Sequence, residues 1–380
     1  MPSTTLDLWG SKMQKLFLDG FEHSGTTWRV AVLGVTGDAP FLKAVGNFTR
    51  SFNNVRKTHT SANPQRGICW LCLAGRETPE EAYPFEDLGF SGDWIETRGR
   101  ELPWAEPGPL LRWFMLPRDP ATFFRPDFFH VYYAGVGKDF VASALVYMLK
   151  GLYGQGSVAK NLAAMNADLK KYLRMTKAKL HCGSLTADLL GYSSTRDYPK
   201  GRWSKSMDTA VLTKFVVVLL SQHAWETTVS HCNLLKEILE SAYSIGRVIR
   251  TCLGGTFFLT AAESLEVVSQ GHRFLKGYAA LARQAYDRQL CLFKFMPVTH
   301  LLNEMILTAR DQYLLCGTAV NPAAESTFMS EDFVGNTARL SRRVSPMAVA
   351  QKTLQRYCVF ARQQLDAAES LSLARLFLLD

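Results

Sequence analysis

Two carboxylates far apart in the chain carry the first chemical signal. Asp38 follows the segment Trp28–Gly37, whose apolar residues predict a buried strand over Val30–Leu33 that delivers Asp38 at its carboxyl end. Glu331 lies near the start of a predicted helix, within Ser326–Gly335. Paired carboxylates hold the two divalent cations of phosphoryl-transfer sites. Asp38 and Glu331 are therefore the candidate catalytic residues, and Mg²⁺ or Mn²⁺ is the candidate cofactor.

Each carboxylate also has an ordinary structural interpretation. Asp38 precedes Ala-Pro, and an aspartate in that position is a good turn former. Glu331 suits the first turn of a helix with Ser330 as its N-cap, where the helix dipole favours a negative charge. Glu325 is a rival for the role of Glu331. The sequence leaves these interpretations open.

A second signal is the pair Cys69 and Cys72. Two thiolates at this spacing supply half of a tetrahedral zinc site. The sequence holds no second cysteine pair at such spacing, so His59 or His130 would have to contribute further ligands. The alternative is two free thiols, with His130 and His300 as ordinary core histidines.

Basic residues form two further candidate sites. The loop 196–205 interleaves cations with aromatic rings, a combination that suits a phosphate backbone and an unstacked base. A second basic run follows Glu331 on its predicted helix. The alternatives are a solvated loop anchored by Trp203 and a solvated helix face. The candidate nucleic-acid-binding residues are Arg202, Trp203, Lys205, Arg339, Arg342 and Arg343.

The composition is that of a folded, basic protein. Hydrophobic residues make up 47% of 380 residues, and the net charge of +9 favours a polyanionic partner such as DNA. Eight dispersed cysteines indicate a reduced, intracellular location. The sequence shows no signal peptide, and its longest strongly apolar run, 215–220, is too short to span a membrane. The oligomeric state is not indicated.

The patterning predicts an α+β, mainly helical fold. Apolar residues recur with the helical period over much of 126–290, whereas prolines and glycines predict irregular structure over 53–125. We divide the chain into 1–52 (helix, strand ending at Asp38, helix), 53–125, the helical block 126–290, a segment 291–345 with the Glu331 helix, and a C-terminal helix over 346–380.

Four segments, taken in order, resemble motifs of DDE-type transposases of the large eukaryotic CACTA- and Plavaka-like kind. These enzymes have an RNase H-like core. The segments are Gly37–Pro40, Cys69–Cys72, Asp127–His130, and Pro297–His300 followed by Phe328–Gly335. Phe129 replaces the family's Met, and Asp332 replaces its Arg.

The resemblance implies a partial RNase H-like α/β core interrupted by the long all-α insertion. It also implies that Asp38 and Glu331 are metal ligands, that DNA is the partner and that the location is nuclear.

The same resemblance implies an incomplete active site. The family places a first catalytic Asp on an earlier strand, and neither Asp7 nor Asp19 occupies such a position. We therefore expect a truncated or decayed transposase-derived protein, catalytically incomplete as this chain. Asp127 is the first candidate for a third carboxylate. The alternative is a non-enzymatic helical module that binds nucleic acid or protein.

Overall fold

The computed structural model describes residues 3–50, 65–113, 119–154, 156–223 and 232–376. The chain divides into two compact units, which meet in sequence between Ser326 and Thr327. The candidate residues Asp38, Cys69 and Cys72 lie in the first unit, and Glu331 lies in the second.

The first unit opens with short elements and, among its described residues, one small parallel pairing of strands. Strand β3 (Val35–Gly37) pairs in parallel with β6 (Phe124–Pro126), and Gly37 stands opposite Pro126. Asp38 and Asp127 therefore directly follow neighbouring strands at the same edge. The elements are α1 (Ser3–Leu18), β1 (Phe21–His23), β2 (Thr26–Trp28), β3 (Val35–Gly37), α2 (Ala39–Gly46), β4 (Gln65–Arg66), β5 (Arg76–Glu77) and β6 (Phe124–Pro126).

The strand expected over Val30–Leu33 is wrong in position. Val35–Gly37 forms the ladder with β6, and Leu33 is 66% exposed. The error has a physical reason, because the position of a strand depends on its ladder partner, which lies far away in sequence. Asp38 nevertheless follows the end of a strand, as predicted.

A helical body follows β6 in the first unit. A π-helix at Phe129–Val136 leads into α3 (Gly137–Gly151), α4 (Val158–Thr176), α5 (Asp208–Gln222), α6 (Asn233–Gly254), α7 (Ala261–Asp287) and α8 (Pro297–Cys316). Helix α7 packs against both α6 and α8. Strands β7 (Phe258–Leu259) and β8 (Ala319–Val320) pair antiparallel beside these helices.

Amphipathic patterning explains the helical packing. In α6, buried residues recur every three or four positions, from Leu234 through Ile238 and Ile245 to Cys252. Helix α7 starts with a capping box in which Thr260 and Glu263 satisfy each other's backbone N–H groups. The predicted mainly helical fold is confirmed. Each sheet in the described ranges has two strands, so the RNase H-like core stays a prediction.

The second unit contains helices α9 (Phe328–Ser341) and α10 (Val349–Leu376). The Phe333 ring packs edge-on against Tyr357, and Arg356 donates to the carbonyl of Leu340 at 2.7 Å. Helix α9 begins at Phe328, so the expectation that Ser330 is its N-cap is wrong. Across the described parts of both units, no helix combines the length and apolar character needed to cross a membrane.

Candidate metal centre

Four buried side chains converge on one point in the first unit. One ligand atom from each of Cys69, Cys72, His300 and Glu304 lies within 4.8 Å of the others. The cysteines belong to the loop before β5. His300 and Glu304 stand four residues apart on α8, which places them on the same face of that helix. The group could hold a metal ion.

The cysteine loop is shaped to stabilise negative sulfur atoms. The backbone N–H of Leu71 donates to Cys69 Sγ at 3.3 Å, and that of Ala74 donates to Cys72 Sγ at 3.4 Å. In both cases the donor lies two residues after the cysteine. Backbone N–H groups aimed at an anion favour its charged form, which is the form that binds a metal.

A buried arginine and a threonine fix this loop from outside. Arg50 Nε donates to the carbonyl of Cys69 at 2.8 Å, and its Nη2 donates to that of Trp70 at 3.3 Å. The N–H of Leu73 donates to Thr97 Oγ1 at 2.9 Å. Because these contacts involve the loop backbone, they hold both sulfur atoms in place.

Contacts of His300 and Asn303 likewise hold α8 in place. The edge of the His300 ring meets Trp94, with ring centroids 4.3 Å apart. One turn along, Asn303 accepts a hydrogen bond from the N–H of Gly89 and donates to its carbonyl at 2.9 Å. His300 Nε2 thereby lies 3.3 Å from Cys72 Sγ and 3.6 Å from Glu304 Oε1.

Protein groups do not pair with all of the buried polar atoms in this cluster. Arg98 Nε lies 3.1 Å from Glu304 Oε2. Within the described residues, however, both Glu304 oxygens and His300 Nδ1 lack a partner with hydrogen-bond geometry. Buried polar atoms are costly when they stay unpaired. A cation bound between the side chains would satisfy Glu304.

Without a metal ion, the pKa values in this cluster are set by burial and by the attraction between its oppositely charged side chains. Burial raises the pKa of Cys69, but hydrogen bonding with Cys72 and the positive His300 ring outweigh it and bring the pKa to about 6. Burial and the Cys69 thiolate raise the pKa of Cys72 well above its usual value. Burial opposes the charge of His300, but Cys69 and Glu304 raise its pKa to about 9. A metal ion would have to displace the remaining protons.

The cluster differs in composition from the set of zinc ligands that the sequence suggested. Cys69 and Cys72 stand together as expected, but His130 is not in the cluster, because it pairs with Asp127 instead. His59 lies outside the described residues. The sequence interpretation missed His300 and Glu304. Their helical i, i+4 spacing was the available signal.

Asp127 and His130 form a separate pair at the end of β6. His130 Nδ1 lies 2.5 Å from Asp127 Oδ2, and Asp127 Oδ1 accepts hydrogen bonds from the N–H of Phe129 and the hydroxyl of Ser326. Asp127 is buried, and both of its carboxylate oxygens interact with these protein groups. In this conformation the Asp127 carboxylate therefore has a structural role as a hydrogen-bond acceptor.

Asp38 acts as the N-cap of α2. Its Oδ1 accepts a hydrogen bond from the N–H of Phe41 at 2.7 Å, which agrees with the turn interpretation. Glu325 lies beside β3, because the Thr36 hydroxyl donates to its carbonyl at 2.8 Å. Glu331 is exposed in the first turn of α9 in the second unit. A meeting of Asp38 and Glu331 stays a prediction.

The basic loop has a different arrangement from the one expected. Trp203 is 1% exposed, and its indole N–H donates to Thr209 Oγ1 at 2.9 Å, so no ring face is open to a base. It anchors the loop to α5, as the alternative interpretation proposed. Arg202 is exposed and pairs with Asp188 at 2.6 Å, and Lys205 is exposed. In the second unit, Arg339, Arg342 and Arg343 are exposed.

Comparison with known proteins identifies no relative. No family model, curated protein or solved structure matches this chain.

Proposed function

We propose that the first unit is a zinc-binding module in which Cys69, Cys72, His300 and Glu304 are the ligands. Two thiolates and an imidazole favour zinc over magnesium or calcium, which prefer oxygen ligands. The two thiolates and the carboxylate carry three negative charges. A divalent cation together with Arg98 balances them. The observation that carries the proposal is the convergence of four buried ligand atoms within 4.8 Å.

The role of this zinc ion is structural. Four protein ligands complete a tetrahedral shell, whereas catalytic zinc sites keep one position open for water or substrate. All four ligands are buried, so solvent has little access to the ion. The metal would tie the irregular segment around Cys69 to α8, whose His300 lies 228 positions after Cys72 in sequence. The unfolded chain does not hold these ligands together, so the free energy of zinc binding adds to the free energy of folding.

Cobalt substitution tests the ligand set directly. We expect the metal-free protein to bind one Co²⁺ and to develop thiolate-to-cobalt charge-transfer bands together with the intense d–d bands of a tetrahedral site. Cys69→Ser should lose much of the charge-transfer intensity, while Cys182→Ser, outside the cluster, should keep it. Weak octahedral bands in the parent protein would contradict the proposal.

A second candidate is descent from a DDE-type transposase. The supporting observation is that Asp38 and Asp127 directly follow two neighbouring parallel strands. In this proposal Asp38 and Glu331 are the remaining ligands for Mg²⁺ or Mn²⁺, DNA is the partner, and the location is nuclear. Because Asp127 already accepts hydrogen bonds from protein groups, it is a poor third ligand.

This second candidate predicts that the purified chain does not cut DNA. Two carboxylates offer too few oxygens to fix two ions in octahedral geometry. The measurement is plasmid nicking in Mn²⁺ by the parent protein, Asp38→Ala and Glu331→Ala. Cleavage by the parent that both substitutions abolish would show a complete active site and would contradict the decayed-enzyme interpretation.

A further inference from the structure

Three lysines from separate segments converge on one surface of the first unit. Lys138 lies at the start of α3, Lys200 in the loop after α4, and Lys294 between α7 and α8. All three act electrostatically on Asp139. Burial raises the pKa of Asp139 to about 6, although the lysines oppose this shift. We call Lys138, Lys200, Lys294 and the neighbouring Tyr198 the Tyr198 site.

The Tyr198 site carries an excess of positive charge. Asp139 is the carboxylate whose charge its three lysines favour, and within the described residues none of the three has a carboxylate oxygen within 4.0 Å of its ammonium nitrogen. Burial and the nearby Lys200 charge lower the pKa of Lys138, as expected for cations held close together. Lys200 and Lys294 are exposed. An anionic ligand would relieve this repulsion.

An exposed aromatic ring stands beside these cations. Tyr198 is 47% exposed, and Lys294 Nζ lies 6.0 Å from the centre of its ring. Unlike Trp203, Tyr198 has ring surface available to a ligand.

The loop that carries Tyr198 is held in place by contacts on either side. The N–H of Lys200 donates to the carbonyl of Leu190 at 3.0 Å, and that of Arg202 donates to Leu189 at 2.8 Å. Lys138 Nζ donates to the carbonyl of Trp203 at 2.9 Å. The ring and the lysines are therefore presented on a fixed backbone, which lowers the entropy lost on binding.

We propose that the Tyr198 site binds single-stranded nucleic acid, with phosphates at Lys200 and Lys294 and one base stacked on Tyr198. Cations supply the sequence-independent attraction to phosphates, and an exposed ring accepts the face of an unpaired base. In a duplex the base faces are stacked on one another, so the ring would add little. This proposal rests on the second candidate function, in which DNA is the partner, but it requires neither a metal ion nor Asp38.

Fluorescence anisotropy with a labelled thymidine oligonucleotide tests this site. We expect Tyr198→Ala to weaken binding about tenfold, because stacking of a base on an aromatic side chain has an effect of this size. Tyr198→Phe should bind like the parent protein. Lys200→Glu/Lys294→Glu should weaken binding at least as much and should reduce the salt dependence by about 1.4 in log Kd per log salt, from two phosphate contacts.

Matched controls come from exposed residues elsewhere in the same unit. Tyr286→Ala removes another exposed tyrosine, and Lys160→Glu/Lys236→Glu reverses two exposed lysines outside the site. Both should bind like the parent protein. Absence of binding by the parent, equal affinity for a duplex of the same length, or equal losses in site and control variants would overturn the proposal. All variants should retain their zinc, so a failure here is distinguishable from a failure of the metal proposal.

Discussion

Replacing Cys72 with serine is expected to remove the bound zinc and to lower the melting temperature of the first unit by about 6 °C. A ligand that binds only the folded state at a thousand times its Kd stabilises that state by about 4 kcal/mol. The serine hydroxyl is a poor zinc ligand, so this stabilisation is lost. The measurements are zinc content and thermal unfolding followed by circular dichroism.

Cys252→Ser provides the matched control for that experiment. Cys252 is a buried cysteine on α6, outside the cluster. It should therefore keep its zinc, and its loss of stability should be limited to the effect of one buried hydroxyl. Equal losses of melting temperature in the two variants, with zinc retained in both, would contradict the assignment of Cys72 as a ligand.

Arg98→Met is expected to lower the free energy of unfolding by about 3 kcal/mol. Arg98 is 22% exposed in its side chain, and its Nε lies 3.1 Å from the fully buried Glu304. Removing one partner of a buried ion pair leaves the other charge uncompensated, which typically costs 3–5 kcal/mol, and partial exposure of Arg98 places the effect at about the lower end. Urea unfolding of the metal-free protein provides the measurement, because a bound zinc ion would itself compensate the Glu304 charge.

Arg100→Met is the control for Arg98, because Arg100 is an exposed arginine two positions away whose salt bridge joins Glu81 at the surface. Its effect on the free energy of unfolding should be much smaller than that of Arg98→Met, because an ion pair in solvent contributes little to stability. In metal-free protein, adding Glu304→Gln to Arg98→Met should restore part of the lost stability, since the uncompensated charge is then removed. An Arg98→Met cost no larger than that of Arg100→Met would show that Glu304 does not depend on the guanidinium.

Local patterns in the sequence predicted the features that depend on neighbours in the chain. The apolar repeat in α6 and the Cys-x-x-Cys spacing are local in this sense: the repeat predicted a helix that the structure contains, and the two cysteines lie together in one cluster. The position of β3 depends on a ladder with β6, and the positions of His300 and Glu304 beside the cysteines depend on where α8 packs. Single-sequence patterns do not contain that long-range information.

Trp203 illustrates the same limit in the basic loop. Its composition, cations alternating with rings, suggested a stacking surface at that residue. Which ring is exposed depends on the fold. Trp203 is buried and donates a hydrogen bond to Thr209 of α5. The neighbouring Tyr198 is left with its ring in solvent. The composition thus indicated the loop as a candidate binding surface, whereas the packing decides which of its aromatic rings is exposed.

The metal content of the purified chain tests the central claim most directly. Native mass spectrometry should show one zinc ion per chain, lost on denaturation and absent from Cys72→Ser. Chelation should lower the melting temperature of the parent protein, and added zinc should restore it. A chain that carries no metal and melts at the same temperature before and after zinc addition would contradict the assignment of Cys69, Cys72, His300 and Glu304 as a metal centre.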